Sequence, residues 1–388
     1  MGNCINKKKY DTENFNNSNI KQFEGTYINN IKNGFCIEYN INTKKIFQGQ
    51  FINNLKNGLG IIYTDNENKI YEGEFKNNIK NGEGIEYNKN NIFYTGQWYN
   101  NNKHGIGKLY YQKPNVIYYS GNFINNKKHG SGILYYKTKE IKLNGQWDND
   151  MLIYGIEYWE NGNQKYEGAF KNDKYFGEST IYLENGFIYY EGTFLDGFKH
   201  GYGKEYNNNI LIYEGEWINN KKTGYGKLYN KSILQYEGYF LNNNKSGYGT
   251  LFINNIKYIG YFSNDIYNGE GELYIDNKLY YKGSFKNGIK NNIGTLYNNN
   301  YIIYSGDFYN DSKQGNGNLY YTNSNNILYK GNFTNDLRDG FGTLYWKNGN
   351  ILYKGNWSNN MTHGYGIEYD NKGNIIYKGE WNYNNKLN

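Results

Sequence analysis

Along this chain a five-residue pattern recurs in strict alternation: aromatic, polar, glycine, polar, aromatic, as in Tyr94-Thr95-Gly96-Gln97-Trp98 and Tyr213-Glu214-Gly215-Glu216-Trp217. A period of two is that of an extended strand, so both rings and the bare glycine share one face and the polar residues the other. The central glycines run from Gly25 through Gly49, Gly73 and Gly96 to Gly379, spaced by 22 to 25 residues. The aromatic two places after each never fails, whereas Leu143 stands once where the leading ring belongs. Seven and nine residues beyond the second aromatic follow two further glycines, such as Gly82 and Gly84 or Gly105 and Gly107. A closing aromatic such as Tyr87 or Tyr110 comes three residues later. The separation from first to closing aromatic is constant at 16 residues (Tyr71 to Tyr87, Tyr213 to Tyr229), while the connection to the next block varies from 6 to 9. A fixed spacing marks a backbone unit and a variable one a surface turn. Each block therefore predicts a β-hairpin with an Asn/Lys-rich turn. The closing tyrosine falls on the opposite face unless a bulge intervenes, and glycine is where a bulge is expected.

The composition follows from the repeat. Of 49 glycines, 41 occupy the three motif glycine positions, and five of the seven tryptophans sit at the aromatic position two places after the central glycine. Tyr at 48, Phe at 20 and a single Pro argue against a helical or α/β core and favour strands. The abundance of Asn, Lys, Ile and Tyr reads as codon bias and carries no functional expectation. Cys36, Ser179 and Asn292 each replace a glycine. The sixth block, residues 143–160, loses both of its pair, with Tyr154 and Ile156 in register and Gly155 displaced, so it is the expected site of a kink.

Tyr94, Gly96, Trp98, Gly105, Gly107 and Tyr110 spell out the pattern by which this chain resembles the MORN repeat (membrane occupation and recognition nexus). About fifteen and a half copies cover residues 21–388. The resemblance implies an all-β, elongated and twisted single-layer array of antiparallel hairpins, preceded by a flexible segment at 1–20. It also implies a non-enzymatic scaffold for cytoskeletal or cortical proteins, association between copies of the array, and plant-type phosphatidylinositol-phosphate kinases as the enzymes to which such arrays are joined. The strand around Tyr377 to Trp381, left without a return partner, is a further expected edge for self-association.

The chemistry outside the register is sparse. His104, His129, His200 and His363 all precede the first glycine of a pair, two strands or more apart, which is too far for a shared metal. Glu72, Glu74, Glu214 and Glu216 flank the central glycines as solvent-facing strand positions rather than as a converging pair. The glycine pairs lack the strand-to-helix setting of a phosphate loop. No catalytic residue, metal or cofactor is expected. With a net charge of +7 spread over Lys, Asn and Asp in the turns, neither is nucleic acid. No apolar stretch follows Met1 as in a signal peptide. Instead Gly2, Cys4 and the run Lys7, Lys8, Lys9 resemble a myristoylation site, a palmitoylation site and a basic patch, although Asn6 stands where Ser or Thr is usual. This predicts attachment to the cytoplasmic face of a membrane. Turn lysines such as Lys127-Lys128 and Lys221-Lys222 are the expected contacts of any phospholipid headgroup, or serve to keep the sheet soluble.

Overall fold

The computed structural model describes residues 9–14, 21–112 and 115–387, in which every regular element is a β-strand. Gly2, Cys4, Lys7 and Lys8 lie outside the described residues. The chain forms the all-β array of antiparallel hairpins expected from the spacing, and it divides into two compact units, Met1–Phe198 and Lys199–Asn388. Within each unit, strands pair antiparallel with their sequence neighbours. The strand Lys69–Lys76 pairs with Ile79–Asn88, and that in turn with Asn91–Tyr99. Lys9–Asn14 also forms a strand, paired with Lys21–Ile28.

The hairpins are made by their turns. In the third hairpin Asn77 and Asn78 take φ of 52° and 69°, the left-handed pair of a type I′ turn, which Asn tolerates better than other side chains. Asn, Asp or Gly fills this pair in almost every repeat. The second turn residue also clamps the preceding hairpin. The Asn78 N–H donates to the Lys56 carbonyl at 2.9 Å, and the Lys56 N–H donates to Asn78 Oδ1 at 2.8 Å. The same reciprocal pair joins Lys80 to Asn101 and Lys222 to Asn243. Turn asparagines are thus structural, which corrects their reading as codon bias alone.

Two glycines from facing strands meet in most hairpins, Gly73 against Gly84 and Gly215 against Gly226, while Cys36 and Ser179 take the place of the second glycine opposite Gly25 and Gly168. A Cβ on Gly226 would lie 2.5 Å from the Tyr213 hydroxyl, so the leading ring of one strand rests on the bare backbone of the next. Just beyond this pair the register jumps: Gly73 faces Gly84 but Phe75 faces Lys80, so the return strand carries two extra residues around Gly82. The bulge leaves the Glu74 carbonyl without a ladder partner, and the Tyr71 hydroxyl donates to it at 3.1 Å. Tyr94, Tyr213 and Tyr281 do the same to the carbonyl three residues on. A second shift, between Glu86 and Tyr87, leaves Tyr87 on the opposite face, where its hydroxyl donates to Glu72 Oε2 at 3.0 Å.

The leading and trailing rings form an edge-to-face ladder that serves as the core. Tyr71, Tyr94 and Tyr119 are fully buried. In the second unit the ladder is unbroken from Tyr213–Trp217 (5.2 Å) to Tyr377–Trp381 (5.2 Å). In the first it runs from Phe23–Phe51 to Tyr119–Trp147 and stops at Leu143. Among the described residues no ring contact joins Trp147 to Phe170. A cavity of about 460 Å³ opens there, lined by Leu143, Trp147, Leu152 and Phe170. Gly155, however, is not displaced. It faces Gly145, because this hairpin has one extra residue in its bulge instead of two, and the glycine column is preserved.

Candidate interaction faces

Each sheet has two faces of different chemistry. The inner face carries the ring ladder, and over it lies a row of cations from the second position after most of the tight turns. Lys80 Nζ sits 4.5 Å from the Tyr71 ring centroid and 4.6 Å from Trp98, and Arg338 Cζ lies 4.2 Å above Trp357. Such contacts stabilise by about 0.5–1 kcal/mol when exposed and more when desolvated. Many of these lysines are also ion-paired: Lys56 to Glu38 (2.9 Å), Lys103 to Glu86 (2.7 Å), and Lys199 and Lys222 both to Glu205 (2.7 and 3.1 Å). Burial alone would raise the Glu205 carboxyl, but the two lysines outweigh it and hold its pKa below the usual range. Burial lowers the pKa of Lys80 and of Lys128, opposed by Glu86 and Asp150 respectively. Lys128 and Lys222 therefore fold over rings, Lys128 lying 4.5 Å from Trp147 and Lys222 4.6 Å from Tyr213, while Lys127 and Lys221 are exposed. Of each expected lysine pair, only the first is a free surface group. The signal missed in the sequence was the constant distance of this lysine from the ring it covers.

Tyr175 and Tyr267 replace the lysine in two hairpins and stack on Tyr166 (3.7 Å, 6°) and Tyr258 (3.9 Å, 15°). In both cases the clamping turn residue is glycine, Gly197 or Gly288, so only the backbone half of the clamp remains.

The motif residues named from the sequence are all in the packing. Tyr94 is fully buried over Gly107, Trp98 packs edge-on to Tyr94 (5.4 Å) and Tyr71 (5.2 Å), and Gly96 faces Gly107. Gly105, at φ 64°, makes the bulge beneath Gln97, whose Oε1 accepts the Ile106 N–H at 3.1 Å. Tyr110 lies on the other face, its hydroxyl 3.3 Å from Thr95 Oγ1. The histidines remain apart: His104 packs on Tyr99, His363 stacks on Tyr383 (4.5 Å), and His129 Nδ1 is 3.3 Å from Asp148. Among the described residues no group of three or more His, Cys, Asp or Glu gathers as a metal site. Cys36 is buried and free, standing in the glycine column opposite Gly25.

The outer face mixes polar side chains with the closing tyrosines such as Tyr87 and Tyr110 and with scattered apolar ones such as Phe35, Leu59 and Ile106, and it carries one run of exposed rings on consecutive strands. Tyr225, Tyr239, Tyr248 and Tyr261 stand in one row across four consecutive strands, each about half exposed.

The MORN repeat family model matches thirteen segments of the chain. Five precede a gap (23–42, 47–68, 71–91, 94–113 and 119–139), and eight follow it, from 190–209 to 353–375. The chain belongs to the MORN repeat family. The unmatched stretch, 140–189, holds the hairpin that lacks its ring and the one in which Tyr175 and Ser179 replace a lysine and a glycine. The family model thus counts thirteen MORN copies where the spacing counts fifteen and a half. No curated protein matches. Two solved structures overlie most of the chain with little likeness. Against TcdB2-TccC3-TEV the identity is 9% and the TM-score 0.12, over 94% of this chain and 17% of that one. Against the Photorhabdus luminescens Tc holotoxin pore they are 10% and 0.13, over 95% of this chain and 26% of that one. This MORN chain thus spans about a quarter or less of the length of either. No helix among its described residues is long and apolar enough to cross a membrane.

Proposed function

We propose that this MORN protein is a non-enzymatic scaffold, held at the cytoplasmic face of a membrane by acylation at Gly2 and Cys4 with help from Lys7, Lys8 and Lys9. Its hairpin faces organise cytoskeletal or cortical proteins. The observation that carries this reading is that the motif rings and glycines are spent on packing. What remains is two faces, one cationic over aromatic rings and one that mixes polar side chains with exposed tyrosines. Such surfaces suit binding rather than chemistry. One acyl chain gives only reversible attachment, so both lipids or a lipid and the basic run are needed. The test is the distribution of tagged full-length protein beside its Gly2→Ala and Cys4→Ala variants. Membrane enrichment lost in Gly2→Ala supports the tether; unchanged enrichment overturns it.

A second reading is favoured by the inner-face cations. Lys80 and Lys128, partly desolvated beside Trp98 and Trp147, are suited to a phospholipid headgroup. Co-sedimentation of the unacylated Gly2→Ala chain with vesicles containing phosphatidylinositol phosphates, lost in Lys80→Met/Lys128→Met, supports this reading, and binding only by acylated protein ends it. Recovery of a phosphatidylinositol-phosphate kinase with the chain would make the scaffold a regulatory partner of that enzyme. Light scattering of the purified chain tests association between copies, with a monomer ending that expectation.

A further inference from the structure

Within the outer-face row of the second unit, six consecutive strands from Ile210–Ile218 to Ile266–Ile275 carry Glu216, Tyr225, Tyr239, Tyr248, Tyr261 and Glu270, with Tyr202 next before Glu216 and Ser284 next after Glu270. Tyr225 and Tyr239 are cross-strand partners with rings 5.8 Å apart at 82°, and Tyr248 and Tyr261 form a second such pair at 5.4 Å and 74°. Their exposures are 45%, 52%, 51% and 49%, high for rings whose equivalents on the inner face are fully buried. Tyr239 and Tyr261 are seated against Gly247 and Gly269, whose missing side chains leave the rings room to lie close to the sheet. A carboxylate closes each end. Glu216 Oε1 accepts the Tyr225 N–H at 3.1 Å, and Glu270 Oε1 accepts the Ser284 hydroxyl. The corresponding positions of the first unit include Gln50, Leu59, Glu74, Glu83, Gln97 and Ile106, with no such run of tyrosines.

We propose that this row is a docking surface for a basic, proline-rich peptide in the polyproline II conformation, lying across the strands. The proposal rests on the scaffold reading and names the class of partner. Pairing the four rings two by two leaves three slots: between Glu216 and Tyr225, between Tyr239 and Tyr248, and between Tyr261 and Glu270. Neighbouring slots are two strands apart, about 9.6 Å at ~4.8 Å per strand. A polyproline II helix advances about 9.3 Å per three-residue turn. The match places a proline at one position in the central slot and a cationic residue three places to either side, each facing a carboxylate. Proline-rich segments are recognised by aromatic-lined surfaces because their conformation is set before binding. Across the same six strands the next row holds Glu214, Lys227, Glu237, Thr250, Ile259 and Glu272, three carboxylates to one lysine, with Lys282 of the following strand paired to Glu272 at 2.9 Å; the excess of carboxylate complements a cationic ligand. The same carboxylates repel the phosphates of single-stranded nucleic acid, the other ligand a row of exposed rings would stack against.

The test is titration of the full chain with the peptide Ac-RPPPPPR-NH2, followed by calorimetry or chemical-shift mapping. Saturable binding is expected, weakened at least tenfold by Tyr239→Ser/Tyr248→Ser and by Glu216→Gln/Glu270→Gln. The peptides Ac-EPPPPPE-NH2 and Ac-RAAAAAR-NH2 should bind at least tenfold more weakly. Circular dichroism of each variant, unchanged because these side chains lie outside the core, separates loss of binding from loss of fold. No binding, equal binding of the three peptides, indifference to both double variants, or preferential binding of oligo-dT each overturns the proposal. None of these results touches the membrane distribution of the Gly2→Ala variant, so the scaffold reading stands or falls separately.

Discussion

The contact between Tyr213 and Gly226 carries the logic of the repeat in two residues. The ring needs bare backbone beneath it and a carbonyl for its hydroxyl, and the bulge in the facing strand supplies the second by leaving Glu216 O unpaired. Gly226→Ala puts a methyl 2.5 Å from the phenol oxygen and should cost about 1–3 kcal/mol, as overpacking does. Tyr213→Phe keeps the ring and loses the 3.1 Å hydrogen bond to the Glu216 carbonyl, so about 1 kcal/mol is expected. Urea denaturation followed by tryptophan fluorescence measures both, since Trp217 lies 5.2 Å from Tyr213. At this scale the sequence was legible wherever side-chain parity decides the face. Tyr94, Gly96, Trp98 and Gly107 stand where alternation puts them, and Tyr110 stands on the opposite face as its odd offset requires. Lys80 was not legible. A lysine next to an Asn-rich turn looks solvated, and only the fold shows its stem lying over two rings.

At the scale of the hairpin, the tight turn and the ring gap make opposite predictions. Asn243 holds φ of 75° and clamps Lys222 through both its N–H and its Oδ1. Asn243→Gly keeps the conformation and removes one hydrogen bond, for about 1 kcal/mol. Asn243→Ala also forces a left-handed alanine, adding about 1 kcal/mol. The difference in thermal midpoint between the two variants separates the terms. The sixth hairpin should respond the other way. Leu143→Tyr puts a ring into the cavity between Trp147 and Phe170, above Gly155, and restores edge-to-face contacts worth about 0.5–1.5 kcal/mol each. A rise in thermal midpoint is expected, and a fall would mean that Leu152 already fills the space the ring needs. Spacing alone marked this hairpin as irregular but placed the fault in the glycines. The backbone absorbed the missing residue in its bulge, leaving Leu143 as the true departure.

For the molecule as a whole, repetition turns small local terms into collective behaviour. Burial pushes the core phenols up, those of Tyr329 and Tyr353 to about 12, with nearby carboxylates such as Asp339 and Glu380 adding to the shift. An unfolded tyrosine ionises near 10, so the stability these groups contribute is fully present below that pH and lost as pH rises through the folded values. Circular dichroism against pH should therefore show a steep unfolding between about pH 10 and 12, shared by many rings. Contacts run between sequence neighbours within each unit, and this makes stability approximately a sum of hairpin and nearest-neighbour terms. Each ring-on-glycine lock belongs only to its adjoining strands, which leaves the hairpin faces free for binding. Hydrogen exchange on Gly226→Ala tests that most directly. Protection should fall in Ile210–Ile218, Lys221–Asn230 and Ile233–Leu241 and be retained in Ile351–Ser358 and Met361–Tyr369. An equal loss of protection in all five strands would contradict it.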